Sequence, residues 1–456
     1  MRLAILQRRL KFWLSLFSAY ISRYRLRLTS GLVILCLFTF TVFKLWPAVS
    51  RSNVVTTGFV GNYTIGNIPT EILTPATKSL ISVDNTGKPI PSLASHWTVS
   101  DDGKTYVVFL KDNLKWHNDT PIDARDITIA IDNVQITGLN NKAIEFKLKN
   151  PIASFPTILD KPVFKKNTFY GAGDFRLVDI DQIQDIIKKI SMVPKNPDLP
   201  RVEIKFYPTE EQLANALKIG ETKSANLTSA KLFEKWPNLN TETLLDSSQV
   251  VTIFFNTEDE TLTSKEFRQS LIFAINRTRF DGVLASGPIA PTNWTYTREV
   301  KRYDYNSGKA KELLTKSGIR NPKIMLSVTQ DLEEQAKLIQ KDWQDLGISV
   351  EINVVKQIPD QFQALLAVNK IPPDPDQYAL WHSTQKDTNL TNFKDVRIDK
   401  LLEDGRTTLD EEKRKGFYID FQKSLVEEAP AAFLYHPHKY HIVYKNSQKL
   451  LTKLPK

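Results

Sequence analysis

Residues 89–134 are the stretch of this 456-residue chain that most constrains its fold. Two β-prone runs, 96–99 and Thr105–Leu110, flank an Asp-Asp-Gly-Lys turn, and this pattern predicts a β-hairpin. Thr120 has the character of a helix N-cap, because a proline would occupy the first helical position and an acid follows three residues after the cap. Apolar residues then recur at helical spacing, at Ala124, Ile127, Ala130, Ile131 and Val134. The stretch therefore predicts a hairpin followed by an amphipathic helix.

The order of residue types in this stretch also resembles a family signature. From Pro91 the chain reads P-x-L-A-x-x-W-x-x-S-x-D-G-K-x-Y, and from Trp116 it reads W-H-x-x-x-P-x-x-A-x-D. Together these runs resemble the bacterial extracellular solute-binding proteins of family 5, the peptide-, dipeptide- and nickel-binding receptors of ABC importers. Because two runs match in order, the resemblance is more specific than a single short motif.

The resemblance extends over about residues 54–445. Residues 250–256 read as an apolar strand, and the segment 267–277 follows it as a helix that is similar to the family's own. Further strand and helix patterns alternate after it, which predicts an α/β fold. The resemblance implies a two-lobed, periplasmic-binding-protein-like ectodomain of type II, in which hinge strands carry the chain between the lobes twice.

The lobe boundaries follow from where those crossings are expected. We place them near residues 253–257 and 433–437. Lobe I would then comprise residues 54–255 with 433–456, and lobe II would comprise residues 256–432. A linker over residues 47–60 is expected to precede lobe I.

Charge is concentrated at the N-terminus. The chain has a net charge of +10, and residues 1–51 contain nine Lys and Arg residues but no Asp or Glu. The remainder therefore carries a net charge of only +1. A globular part so close to neutral argues against a nucleic-acid partner.

Residues 28–46 form an apolar run that predicts one transmembrane helix. Nineteen helical residues span about 28 Å, close to the ~30 Å thickness of the hydrocarbon core. The positive-inside rule places the basic, amphipathic segment 1–27 in the cytoplasm and the C-terminal ectodomain outside, so we expect a single-pass protein of the cytoplasmic membrane. A signal peptide cleaved near residues 48–50, or a disordered basic tail at residues 3–24, remains an alternative.

Ligand sites favour interfaces between domains, and in the resembled family two segments contribute to the cleft: the strand before Phe-Asn-Thr and the Asp-Pro-Asp loop. Carried over by position, the predicted ligand-binding residues are Phe254, Phe255, Asn256, Asp374, Tyr378, Trp381, His382 and Gln385. Each also has a structural interpretation. The two phenylalanines could belong to the core, and Asp-Pro-Asp is ordinary turn chemistry.

One position departs from the peptide-binding relatives. They commonly carry an acid three residues before the Asp-Pro pair, where it pairs with the amino terminus of a peptide. This chain has Ile371 there. A cleft without that acid favours stacking and hydrogen bonding to a neutral or mildly polar solute, or to a peptide held by its backbone.

Metal, cofactor and catalytic chemistry find little support. Three histidines lie within residues 436–441, but no neighbouring acid or cysteine completes a metal-binding set, so we predict no metal site and no cofactor. The motifs GxSxG and HExxH and a P-loop are absent, and Cys36, the one cysteine, lies in the apolar run. The sequence predicts a binding protein and not an enzyme.

Two functions are therefore open. The first is the membrane-anchored substrate-binding component of an ABC-type importer, which binds a peptide-like or other small solute between two lobes and delivers it to permease subunits. The second is a ligand sensor or scaffold of the same fold without a transport partner. Binding of a metal such as nickel is a weaker third possibility.

Overall fold

A computed structural model describes residues 13, 23–24, 37–41 and 53–452. The strands in this part are β1 (Val54–Val60), β2 (Ile81–Val83), β3 (Pro89–Pro91), β4 (Ala94–Val99), β5 (Thr105–Leu110), β6 (Val134–Gly138), β7 (Ala143–Leu148), β8 (Phe175–Ile183), β9 (Ile186–Pro194), β10 (Arg201–Tyr207), β11 (Ser224–Leu227), β12 (Leu239–Leu245), β13 (Gln249–Phe255), β14 (Gly282–Leu284), β15 (Lys323–Thr329), β16 (Ser349–Val355), β17 (Ala364–Lys370) and β18 (Ala431–Tyr444). The α-helices of residues 53–452 are α1 (Thr70–Leu73), α2 (Phe155–Ile158), α3 (Glu210–Lys218), α4 (Lys265–Ala274), α5 (Ser307–Ser317), α6 (Glu333–Asp345), α7 (Tyr378–Trp381), α8 (Val396–Thr407), α9 (Glu411–Glu428) and α10 (Lys445–Leu451).

One long mixed sheet organises the molecule, in the order β16-β15-β17-β13-β18-β11-β1-β10-β9-β8. Its strand β18 serves both halves: residues 431–435 pair with β13, and residues 438–444 pair with β12. We call the strands on the β13 side the C-terminal half and those on the β11 side the N-terminal half. The chain passes between the halves along β18 and along the β12–β13 connection.

A second sheet, in the order β4-β5-β7-β6, carries the hairpin predicted from the sequence. Strands β4 and β5 pair antiparallel, and Gly103 takes the positive φ of 67° that their turn requires. Along β5 every second side chain is buried, as expected for a sheet with one face on a core. Tyr106, Trp116, Phe146 and Phe155 lie in that core.

The amphipathic helix predicted after Thr120 is wrong. The side chain of Asp123 accepts a hydrogen bond from the Arg125 backbone and caps only a single 3-10 turn, Ala124–Asp126. The chain then runs extended, with Asn133 at a φ of 60°, into β6, which pairs antiparallel with β7. The apolar spacing does not distinguish the two structures, because β-branched residues in an irregular, strand-like segment can cover the same core. Ile127, Ile129 and Ile131 all pack against it.

The later helices and strands agree with the sequence expectation. The apolar run at 250–256 is β13, the segment after it forms α4, and α5 ends at Gly318 in the left-handed conformation (φ 72°). The last strand, β18, runs from Ala431 to Tyr444. A mixed α/β fold is thus confirmed.

The N-terminal predictions fall mostly outside the described residues. Within the expected transmembrane run only residues 37–41 are described, and they are helical. The remaining positions of 28–46, and the segment 1–27 apart from residues 13 and 23–24, lie outside the described part. Among the residues that are described, no helix has the length and apolar character needed to span a bilayer.

Candidate ligand-binding site

The Asp-Pro-Asp loop, residues 371–377, lies where the two halves of the molecule meet. It follows β17, and the Ile371 amide donates to the Ser248 carbonyl at 2.8 Å, on the connection between β12 and β13. The loop is therefore fastened to one of the two passages between the halves. The side chain of Ile371 is buried and belongs to the core of the C-terminal half.

Asp374 holds the loop through a buried ion pair. Its carboxylate accepts bidentate hydrogen bonds from Arg414 at 2.5 and 3.1 Å, and both side chains are less than a tenth exposed. Burial raises the pKa of Asp374, and the guanidinium opposes that rise. Burial also lowers the pKa of Arg414, but the attraction of Asp374 outweighs it and the net pKa is raised. Asp374 therefore acts as a structural anchor of the loop.

Asp376 points across to the N-terminal half. Its carboxylate accepts a hydrogen bond from the Ser154 hydroxyl at 3.1 Å, and the Nε atom of Arg406 lies 3.6 Å away. The Ala153 amide donates to the Arg406 carbonyl at 2.8 Å. The guanidinium of Arg406 in turn stacks over the ring of Tyr378, 4.6 Å from its centroid. Tyr378, one of the predicted ligand residues, thus borders the interface between the halves.

The turn between β2 and β3 makes a second contact across the interface. Asp84 preorganises this turn by accepting bonds from the amides of Thr86 and Lys88. The Thr86 carbonyl accepts from the Trp294 amide at 3.0 Å. Gly87, at a φ of 88°, packs so closely on the Pro373 carbonyl that a Cβ atom there would lie 2.1 Å from its oxygen.

Charged groups at the rim reinforce this contact. Lys88 forms an ion pair with Glu411 and places its ammonium 5.4 Å from the centre of the Trp294 ring. The Asn293 side chain donates a hydrogen bond to the Pro373 carbonyl at 2.7 Å. This bond holds in place the two residues on which Gly87 packs. The described structure therefore has its halves in contact at the mouth of the interface.

Three of the predicted ligand residues lie in the core of the C-terminal half. Phe254, Phe255 and Trp381 are all at most 5% exposed. Trp381 stacks on Phe254 at 6.2 Å between ring centroids and meets Phe433 edge-on at 5.9 Å. Its indole N–H donates to Gln377 at 2.9 Å. These contacts favour the core interpretation that the sequence left open, and a ligand-binding role for the three stays a prediction.

His382 and Gln385 form a polar group with Tyr378 beside α8. The rings of Tyr378 and His382 stack at 4.0 Å, and the imidazole lies 2.8 Å from the Thr384 hydroxyl and 3.3 Å from Glu403. Gln385 donates to the same hydroxyl at 3.2 Å. The structure thus brings Tyr378, His382 and Gln385 together.

Asn256 lies apart from this group. It follows the end of β13 that is distant from the β12–β13 connection, and its side chain donates to the Phe362 carbonyl at 3.1 Å. There it lines a cavity of about 460 Å³ together with Asp259, Gln363 and Asn392. Asn256 follows Gln249 by seven positions along extended backbone, so these two residues are roughly 23 Å apart. The structure does not join Asn256 to the Asp-Pro-Asp loop.

Several residues of the interface were not predicted from the sequence. Ser154, Trp294 and Arg406 belong to no local motif, and the Ser154–Asp376 bond joins positions 222 residues apart. Only the turn chemistry of Asp84 to Lys88 gave a local signal, and it indicates a tight turn without indicating its partner.

The histidines of β18 have protein partners. The Nδ1 atoms of His436, His438 and His441 lie 2.7 to 2.8 Å from the Gln249 carbonyl, Asp281 and Asn226 respectively. Within the described ranges no three His, Cys, Asp or Glu side chains are grouped as a metal site requires.

A mixed sheet in two halves, joined by β18 and by the β12–β13 connection and meeting over a polar loop, is the arrangement of the periplasmic-binding-protein class of folds. The sequence profile described as bacterial extracellular solute-binding proteins, family 5 middle, matches residues 88–389, so the chain belongs to that family. The resemblance noted from the sequence is therefore confirmed. The family consists of binding proteins, which also confirms that this chain is not an enzyme.

Curated relatives and a solved structure agree with this assignment. The chain is 26% identical to the oligopeptide-binding protein AppA of Bacillus subtilis over 63% of its own length and 60% of that protein, so this match spans less than two thirds of AppA. It is 24% identical to di/tripeptide-binding protein 1 of Pseudomonas aeruginosa, over 77% of this chain and 81% of that protein. The crystal structure of NikZ from Campylobacter jejuni in complex with Ni(L-His) superposes with a TM-score of 0.72 at 18% identity, covering 86% and 94% of the two chains, and shows the shared fold.

Proposed function

We propose that this protein is the substrate-binding component of an ABC-type importer and that it binds a peptide-like solute between its two halves. The observation that carries the proposal is the interface itself. A preorganised turn and the Asp-Pro-Asp loop meet at its mouth, while β18 and the β12–β13 connection join the halves behind them. Such a construction allows the halves to separate and close around a ligand.

The relatives support the class of solute. Those named above are an oligopeptide-binding and a di/tripeptide-binding protein. A nickel complex is the alternative suggested by NikZ. The lack of a grouped metal-ligand set in the described part of the chain disfavours direct metal ligation by this protein.

This chain would recognise a peptide without an acid that pairs with the peptide's amino terminus. Ile371 replaces that acid, and Asp374 is engaged by Arg414. Tyr378, Ser154 and Trp294 at the interface, with Arg406 beside them, would instead hold a peptide through its backbone and by stacking. Phe254, Phe255, Asn256, Asp374, Trp381, His382 and Gln385 stay as predicted contributors to the cleft.

Strand pairing suggests how the lobes are divided. We place one crossing at residues 246–248, since β12 pairs with the distal part of β18 and β13 pairs with β17. The other crossing lies near residues 436–438. The boundary between the lobes then lies a few residues earlier in the chain than the boundary at residue 255 that the sequence predicts. β13 is therefore assigned to lobe II.

An uncleaved anchor over residues 28–46 belongs to the same proposal. It would hold the receptor at the cytoplasmic membrane with its binding lobes outside, near permease subunits. Amino-terminal sequencing of protein extracted from membranes should then start at or near Met1. A start near residue 50 in a soluble fraction would contradict the anchor.

The proposed binding function can be tested by native mass spectrometry of the purified full-length protein. It would be presented with a mixture of two- to nine-residue peptides, including amino-acetylated copies. We expect one bound peptide per chain, and we expect acetylation to be tolerated because the cleft lacks the acid. Absence of any peptide adduct would contradict the proposal, and binding restricted to free amino termini would restore the amino group as the main determinant.

A further inference from the structure

We infer that lobe II carries a second binding site, a basic pocket for a small organic anion with an apolar body. The pocket has a volume of about 210 Å³ and lies between α4, the C-terminal end of α9, the start of β18 and the segment 298–304. None of the residues that line this pocket belongs to the proposed transport cleft.

The pocket is remote from the Asp-Pro-Asp loop. Val426 lines it and Arg414 binds that loop, and both belong to α9. Twelve residues of helix separate them, which corresponds to about 18 Å along the helix axis. The two sites can therefore be perturbed independently.

The lining of the pocket is strongly cationic. Four cations, Arg277, Arg298, Lys301 and Arg302, line it together with one acid, Asp304, and Lys301 is also paired with Glu427 at 3.2 Å, just outside the lining. Residues 52–456 carry a net charge of only +1, so this concentration is not a reflection of the average surface. A concave site lined by one sign of charge attracts the opposite sign.

Arg277 lies at the floor of the pocket, where backbone carbonyl groups hold its guanidinium by hydrogen bonds. Its guanidinium donates to the carbonyls of Ala285, Phe433 and Tyr303 at 2.9 to 3.0 Å. Burial lowers its pKa. In the described structure no carboxylate forms an ion pair with it, and its hydrogen bonds are to backbone carbonyls, with Asp304 acting on its charge only from a distance. An anion in the pocket would therefore be favoured.

The rim offers cations that are free or weakly held. Arg298 is exposed and makes no hydrogen bond or ion pair with the part of the chain that the structure describes. Arg302 pairs with Asp304 at 3.0 Å, but both side chains are mostly exposed, and such pairs contribute little. A guanidinium at this position can present two parallel N–H groups to a carboxylate.

The remaining walls are apolar and set the chemistry of the ligand. They are formed by Ile272, Leu284, Val300, Val426 and Phe433. Leu284 is still 45% exposed and would gain burial against a bound apolar group. An aromatic or short aliphatic carboxylate fits this combination better than inorganic phosphate, which has no apolar surface.

Benzoate is a suitable probe, with benzamide as its neutral analogue. In saturation-transfer NMR of the full-length protein we expect benzoate to bind and benzamide to bind at least about tenfold more weakly, because the charge-assisted hydrogen bonds are lost. We expect Arg298→Gln with Arg302→Gln to weaken benzoate about tenfold or more. Leu284→Gln should weaken it several-fold. All three positions are exposed at the rim, so folding should be retained.

Arg320→Gln is the matched control, because Arg320 is an exposed cation of the same half that does not line the pocket. It should leave benzoate binding unchanged, and the rim variants should leave peptide binding in the interface unchanged. Equal binding of benzoate and benzamide, no benzoate binding at all, or equal loss in Arg320→Gln would each overturn the inference. Inorganic phosphate that competes as tightly as benzoate would overturn the apolar-body assignment.

Discussion

Gly87 provides the sharpest test of whether the contact at the mouth of the interface stabilises a closed receptor. Replacing it with alanine introduces a Cβ atom 2.1 Å from the Pro373 oxygen and 2.7 Å from the Asn293 amide nitrogen, so the turn must withdraw. Withdrawal removes the Trp294–Thr86 hydrogen bond and weakens the Lys88 contacts. A hydrogen bond of this kind contributes about 1 kcal/mol net, and an exposed ion pair contributes less.

The closed form should therefore lose roughly 1–2 kcal/mol relative to the open form, and apparent ligand affinity should fall about 5- to 30-fold. A positive φ also strains alanine by about 1–2 kcal/mol wherever it occurs. Gly318→Ala is the control for that strain, because Gly318 has a φ of 72° with open space around it. Isothermal titration calorimetry with the peptide found by mass spectrometry compares the two variants. Equal affinities in Gly87→Ala and Gly318→Ala would refute the reasoning.

Three further predictions concern stability. Asp374→Asn should lower the free energy of unfolding by about 3–5 kcal/mol because it leaves Arg414 buried without its partner, and Asp374→Leu with Arg414→Met should recover part of the loss in urea unfolding. Trp381→Ala should cost about 3–5 kcal/mol of stability through the cavity it leaves, and a binding defect with an unchanged urea midpoint would instead place this indole in the cleft. Burial lowers the pKa of His436 below its ordinary 6.5, so the unfolded chain binds the proton more tightly and stability should fall as pH drops below about 6.5. His436→Gln should reduce that loss in thermal melts between pH 7 and 5, and a pH profile identical to that of the unmodified protein would contradict a role for His436.

Elements with strong local signals could be predicted from the sequence. Two β-prone runs around the Asp-Asp-Gly-Lys turn predicted the β4–β5 hairpin, and the apolar run at residues 250–256 predicted β13. The helix predicted after Thr120 is wrong because the apolar spacing of this segment fits a helix and an irregular strand-like segment equally well. Its outcome was decided by pairing of β6 with β7, which is a tertiary contact.

The candidate site was only partly predictable for the same reason. The family resemblance located the Asp-Pro-Asp loop, but it could not show that Asp374 is engaged by an arginine forty residues later. Likewise, the burial of Trp381 depends on Phe254 and Phe433, which lie far away in sequence. The partners of Gly87 and Asp376 are set by how the two halves meet, and no local pattern encodes that.

Closure of the two halves around a solute can be measured most directly by a distance across their mouth. Spin labels at Asp101→Cys and Glu412→Cys, two exposed positions on opposite sides, would be introduced in a Cys36→Ser background. Pulsed dipolar spectroscopy of the full-length protein should show a longer or broader distance distribution without ligand and a single short distance with saturating peptide. The same distribution with and without bound peptide would contradict a closing receptor and favour a rigid scaffold.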